Sequence, residues 1–167
     1  MHPSGTGHQI IENILKETPL CEDSEFVVVK DAKPVTEDHY LLVTRRPLRS
    51  LADTDSYRLE SFLMHDFVEA CLREYIILEH GHGQFCSTLG DFVHAHAHLV
   101  PMSAFNVIDF QYGPSVSYDS LAAALKSVPT NCEYLLWGRL GATINIIVGP
   151  EMPKRAIRMQ LEKAKER

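Results

Sequence analysis

Apolar and polar positions follow two different periods along this chain, and the switches between them mark its elements. Ile10, Ile11, Ile14 and Leu15 fall at helical spacing and stop before Pro19, which predicts a short amphipathic helix over residues 8–17. Unbroken apolar runs rich in β-branched residues, 26–29 and 40–43, predict two antiparallel strands joined by a connection carrying Pro34. Between residues 55 and 75, Leu59, Phe62, Leu63, Phe67, Ala70 and Cys71 recur at three and four while Arg58, Glu60, Asp66, Glu69 and Arg73 fill the other face. That is the best helix in the chain, with His65 on its polar side. Residues 75–80 predict the next strand and Gly81-His82-Gly83 a break after it; His80 and His82 are possible ligands, but with no matching Cys or carboxylate spacing they read as loop residues.

Over residues 93–102 the period becomes two. Side chains alternate faces along a strand, so His94, His96 and His98 share one face and Ala95, Ala97 and Leu99 the other. Beyond Pro101, residues 105–112 cross the sheet or cover its edge, and 119–126 form a short helix. Residues 134–137 and 143–148 make two strands turning around Gly138 and Gly141. A final helix over 153–165 has Ile157, Leu161 and Ala164 inward and Arg155, Arg158 and Lys163 outward. No repeat or linker-like stretch interrupts this order, so one α+β domain over 1–167 is expected. Its antiparallel sheet of about five or more strands would carry the histidines on one exposed face with the long helix packed behind.

Composition narrows the function. A chain of 167 residues, 45% hydrophobic and 23% charged, has globular proportions and enough length for a real core. The formal charge of −6 argues against a general nucleic-acid binder, whose affinity rests on a basic face, so any phosphate site is local. The N-terminal residues lack the charged start and apolar run of a signal peptide, and no apolar segment approaches a membrane span, so a cytoplasmic protein is expected. Cys21, Cys71, Cys86 and Cys132 contain no Cys-x-x-Cys pair and read as free thiols. Arg45, Arg46 and Arg49 cluster near a strand end, where a solvated turn outweighs a phosphate role.

The row of imidazoles carries the chemistry. At about 3.3 Å of rise per residue, neighbouring rings stand roughly 6–7 Å apart, too far to hydrogen-bond one another but able to surround one phosphate. A neutral imidazole, with its reference pKa near 6.5, is a competent nucleophile at neutral pH.

Residues 94–100, His-Ala-His-Ala-His-Leu-Val, fit at every place the motif His-φ-His-φ-His-φ-φ, φ apolar, and the chain thereby resembles the histidine triad (HIT) nucleotide-binding proteins. Residues 26–44 resemble that family's first two core strands, with Asp31 three residues before Pro34 and His39 opening the second strand. The resemblance covers a core of about residues 20–105 and leaves 106–167 as a C-terminal extension; Glu79-His80-Gly81 and Arg158 resemble a bacterial branch so extended. It implies a HIT-like fold and a nucleotide hydrolase or nucleotidyl transferase in which His96 attacks the α-phosphate to form a nucleotidyl-histidine. His94 and His98 would donate hydrogen bonds to the phosphate or leaving group, and His39 would orient a triad ring. Asp31 would bind ribose hydroxyls, its alternative being a turn residue before Pro34. Where many relatives carry Gln-Ser or Gln-Thr, this chain has Gly90 and Asp91, with Ser87 and Thr88 as substitute phosphate donors, which should weaken binding of a polyanion and disfavour diadenosine polyphosphate cleavage.

The expected partner is a small nucleotide, with no cofactor, metal or membrane, and a homodimer is left open. Two other classes stand beside this reading. One is a noncatalytic nucleotide sensor or partner-binding module that keeps the pocket without turnover. The other is a zinc hydrolase using His39 and two triad histidines as ligands at about 2.0–2.1 Å.

Overall fold

The structure, a computed structural model, describes residues 13, 15–81, 94–105, 108–153 and 155–165. Among them, eight strands form one sheet: β1 (Cys21–Glu22), β2 (Phe26–Lys30), β3 (Tyr40–Thr44), β4 (Tyr75–Gly81), β5 (His96–Pro101), β6 (Val116–Tyr118), β7 (Tyr134–Arg139) and β8 (Ile144–Val148). Their order is β1-β2-β3-β5-β4-β7-β8-β6, and every neighbouring pair is antiparallel. The α+β, antiparallel architecture expected of a HIT-like fold is therefore present. Two strands are additions to the sequence reading, β1 and β6, at two and three residues too short to show a period.

The long helix starts where Asp55 accepts a hydrogen bond from the Arg58 amide at 3.1 Å, the N-cap arrangement that satisfies an otherwise orphaned donor. It runs as α1 (Ser56–Phe62), loosens into a π-helical segment (Leu63–Val68) and closes with one α turn (Glu69–Cys71). Leu72 then adopts the left-handed conformation usual for glycine, φ 53°, with its side chain 90% exposed. Leu59, Phe62, Leu63 and Phe67 bury against Phe26, Val28, Leu42, Ile77, Ala97 and Leu99 on one sheet face. Each such side chain contributes about 1.5–3 kcal/mol, which holds the helix in place. The short helix α2 (Leu121–Lys126), capped by Ser120, joins the same face.

The opposite face corrects the expectation of an exposed histidine surface. Leu78, Val100, Leu135, Trp137 and Ile147 are covered by Phe105, Phe110 and the last helix, α3 (Ala156–Lys165), through Ile157 and Leu161. A smaller apolar cluster of Val27, Val29 and Val43, with Leu15 and Leu41 against it, lies on the β2–β3 side. His96 and His98 stand between the two, as pairing of Val43 with His96, and of Leu41 and Leu78 with His98, requires. The predicted helix over 8–17 falls mostly outside the described residues. No helix among the described residues is long and apolar enough to cross a membrane.

Candidate functional site

Four imidazoles meet at the β3–β5 seam, each fixed by a different partner. His39 is fully buried, one residue before β3, and its Nδ1 accepts the Val35 amide at 3.1 Å. A nitrogen that accepts carries no proton, so the neutral ring is protonated at Nε2. That Nε2 lies 3.0 Å from His98 Nδ1, and the bond therefore runs from His39 to His98, leaving the His98 proton on its own Nε2. His96 Nδ1 lies 3.2 Å from the His94 carbonyl oxygen, which can only accept. The His96 lone pair is consequently on Nε2, on a side chain open to solvent. His94 precedes the regular strand and is buried, its Nδ1 donating to the Thr44 carbonyl at 2.6 Å. In its neutral form His94 turns a lone pair outward, so it donates to a phosphate only as an imidazolium.

The ring centroids of His96 and His98 are 6.3 Å apart, the spacing a strand imposes. Sequence spacing could not show the His39–His98 hydrogen bond, which joins residues 59 apart in sequence. Burial favours the neutral forms of His39, His96 and His98. Desolvation holds His39 below the ordinary imidazole range, Asp31 opposing it and Arg158 adding to it. His98 is held well below, by desolvation and then by His96, His39 and Arg158. His96 keeps solvent contact on its outer side, yet the protein packed around it desolvates the ring enough to lower its pKa, against the raising influence of its bond to the His94 carbonyl and of Asp31.

Asp31, expected at the ribose, is buried behind the rings. Its Oδ1 accepts the Lys33 amide at 2.8 Å, its Oδ2 accepts Arg158 Nη2 at 2.9 Å, and Oδ2 is 3.4 Å from His39 Nε2 and 3.8 Å from His98 Nδ1. Arg158, read from the helical wheel as pointing outward, turns instead across the β2–β3 connection, and its Nη1 donates to the Lys33 carbonyl at 2.5 Å. Its place beside Ile157, at the edge of the apolar stripe, was the available signal. His80 lies within β4 rather than in a loop, with Nε2 2.5 Å from Glu133 Oε1. His65 is on the surface, as expected. Arg45 is engaged by Glu22 and the Asp23 carbonyl. Ser87, Thr88, Gly90 and Asp91, like His82 and Cys86, lie outside the described residues.

Asp31, His39 and His98 bring one ligand atom each within 4.8 Å of one another, so that a carboxylate stands where the zinc alternative named a third histidine. The donor set fits a metal poorly. With His39 Nδ1 occupied by the Val35 amide, a cation on Nε2 would require an imidazolate, and Asp31 Oδ2 already faces a guanidinium.

Residues 6–75 match the profile of the family described as scavenger mRNA decapping enzyme C-term binding, which has a HIT-like fold. That stretch includes Asp31 and His39 and stops short of the triad. No curated protein sequence matches the chain. Among solved structures, yeast Ap4A phosphorylase Apa2 in complex with AMP superposes with a TM-score of 0.47 at 15% identity, over 79% of this chain and 61% of that one. By its motif at residues 94–100, its antiparallel sheet and the family match over its first part, the chain resembles the histidine triad nucleotide-binding proteins.

Proposed function

We propose that this protein is a nucleotide hydrolase or nucleotidyl transferase that acts at the α-phosphate of a nucleoside phosphate derivative through a nucleotidyl-His96 intermediate. The observation that carries the reading is the tautomer of His96: Nδ1 is committed to the His94 carbonyl, and the Nε2 lone pair is left on a solvent-open ring. Nε2 attacks phosphorus, a P–N bond forms and the bond to the leaving group breaks, the departing oxygen or nitrogen accepting a hydrogen bond from His98 Nε2–H and taking its proton from solvent. Water then attacks, the P–N bond breaks and a nucleoside monophosphate departs, or another acceptor takes the nucleotide. Phosphoryl chemistry of this kind depends on alignment and hydrogen-bond donors. The matched family is named for an enzyme of mRNA caps, themselves nucleoside phosphate derivatives, which supports the substrate class. Ser87 and Thr88 are the phosphate donors in this reading, in place of those that many relatives carry at the positions of Gly90 and Asp91.

The test is release of nucleoside monophosphate from nucleoside phosphoramidates and dinucleoside polyphosphates, with a metal chelator present. Wild type should turn over, and His96→Ala should lose product while binding nucleotide within a few-fold, because the nucleophile acts in the transition state. Undiminished release by His96→Ala would exclude the covalent route, and loss of wild-type activity on chelation, restored by zinc, would favour the metal reading.

A further inference from the structure

We infer that Arg158 is a positioning residue for the histidine site, locking the Asp31 carboxylate against the His39–His98 pair from a helix that the family match does not reach. The inference rests on the reading of the triad as the reacting row. Its geometry is a continuous path. Ile157 and Leu161 dock α3 on the sheet face beside β4 and β5, which sets Arg158 over the β2–β3 connection. One arm of the guanidinium holds Asp31 Oδ2 at 2.9 Å and the other the Lys33 carbonyl at 2.5 Å, a fork gripping side chain and backbone of the same turn. The carboxylate so held stands 3.4 Å from His39 Nε2 and 3.8 Å from His98 Nδ1, beside the bond between the two rings. The pair is only 5% to 19% exposed, so solvent screens it weakly.

An unaccompanied carboxylate at that distance would draw a proton onto the rings and compete with His98 for the Nε2 proton of His39. Arg158 neutralises it and keeps the relay as neutral His39 donating to neutral His98. The charged and titratable groups that act on the pair are Asp31 from the β2–β3 connection, His96 from β5 and Arg158 from α3. The guanidinium lowers the proton affinity of both rings, and Asp31 raises that of His39.

The experiment is a ring-nitrogen NMR titration of histidines in the full-length protein, wild type against Arg158→Met, which keeps the packing of the stem, and Asp31→Asn. In Arg158→Met, the His39 and His98 titrations should move to higher pH by about half a unit or more, and the acidic limb of kcat/KM should move with them. Asp31→Asn should shift His39 the opposite way. Opposed signs are a signature that a merely structural role would not produce, and Arg158→Lys should restore most of the titration by restoring the charge. Unchanged ring titrations in Arg158→Met, or shifts of one sign in both variants, would overturn the inference. Should Arg158→Met not fold, Arg158→Lys and Asp31→Asn carry the test: a downward His39 shift in Asp31→Asn with a near-wild-type profile in Arg158→Lys supports the inference, and any other result overturns it. Because the titration needs no turnover, a wild type without activity would sink the nucleotidyl reading and leave this one standing.

Discussion

Asp31 is open to two uses that its surroundings set against each other. The family resemblance implied a ribose acceptor and its place before Pro34 a turn residue, and the structure has the turn bond to Lys33 together with a buried ion pair. The two uses separate in a comparison of ribo- and 2′-deoxynucleotide substrates. A carboxylate committed to Arg158 and the rings predicts that Asp31→Asn lowers the rate on both substrates and leaves their ratio unchanged. Loss of a charge-assisted bond to the ribose would instead take about 1.5–3 kcal/mol from the ribo substrate alone and pull the ratio toward one. That His96 and His98 share a face was legible because a period of two fixes which residues of a strand do so. The tautomers were not, since those of His94 and His98 depend on partners distant in sequence, Thr44 for His94 and Val35 with His39 for His98, and that of His96 on how its ring turns toward the His94 carbonyl. Arg158 was misread because a helical wheel reports which side faces the core and not what a long side chain reaches.

At the scale of elements, the strands and helices with strong patterns, β2, β3, the long helix, β7, β8 and α3, fall where the alternation of apolar residues put them. Boundaries moved where a local interaction overruled the pattern. Gly138, expected to begin the turn, lies inside β7 because the neighbouring strand comes too close for a side chain. A Cβ there would stand 2.4 Å from the Thr143 carbonyl oxygen and 2.8 Å from Ile144 Cα, both backbone atoms that cannot rotate aside. Gly138→Ala should therefore destabilise the β7–β8 hairpin by about 1–3 kcal/mol, the usual cost of overpacking, measured as a lower denaturant midpoint. A midpoint equal to wild type would mean that the hairpin yields easily. Gly81 has a matching role in β4, where its bare Cα leaves room for the Tyr134 ring; a Cβ would come within 2.2 Å of it.

That ring leads to the property of the whole molecule most open to measurement. Tyr134 and the Leu51 amide hold Glu79, a carboxyl buried at 1% exposure on the face away from the histidines, through bonds of 2.5 and 2.8 Å. Desolvation raises its pKa from 4.5 to about 8, in spite of these two bonds. A folded pKa above the unfolded one means that the native state binds the extra proton, so this contribution to stability is complete below about pH 4.5 and drains away as pH rises toward 8. Glu79→Gln, which keeps the shape without the charge, should remove that slope. The stability difference between variant and wild type should grow in the variant's favour from pH 5 to 8, by up to about 1.4 kcal/mol per pH unit. A difference independent of pH would show Glu79 ionised in the fold. The buried histidines act with opposite slope: depressed folded pKa values for His39 and His98 make their contribution present above pH 6.5 and lost as pH falls through the folded values.

The order of the sheet also fixes when each strand's partners become available during synthesis. β5 inserts between β3 and β4, both made before it, so the histidine row can be assembled once residue 101 has emerged. The outer edge of β4 is paired only later, by β7, and the arginine that restrains Asp31 comes later still. A nascent chain that pairs β5 as soon as it emerges thus has its histidine row in place while its central strand edge is bare and its buried carboxylate unaccompanied. Bare edges recruit other strands. The same C-terminal segment that completes the site is therefore what closes the interval in which a half-made molecule could join a neighbour instead of itself.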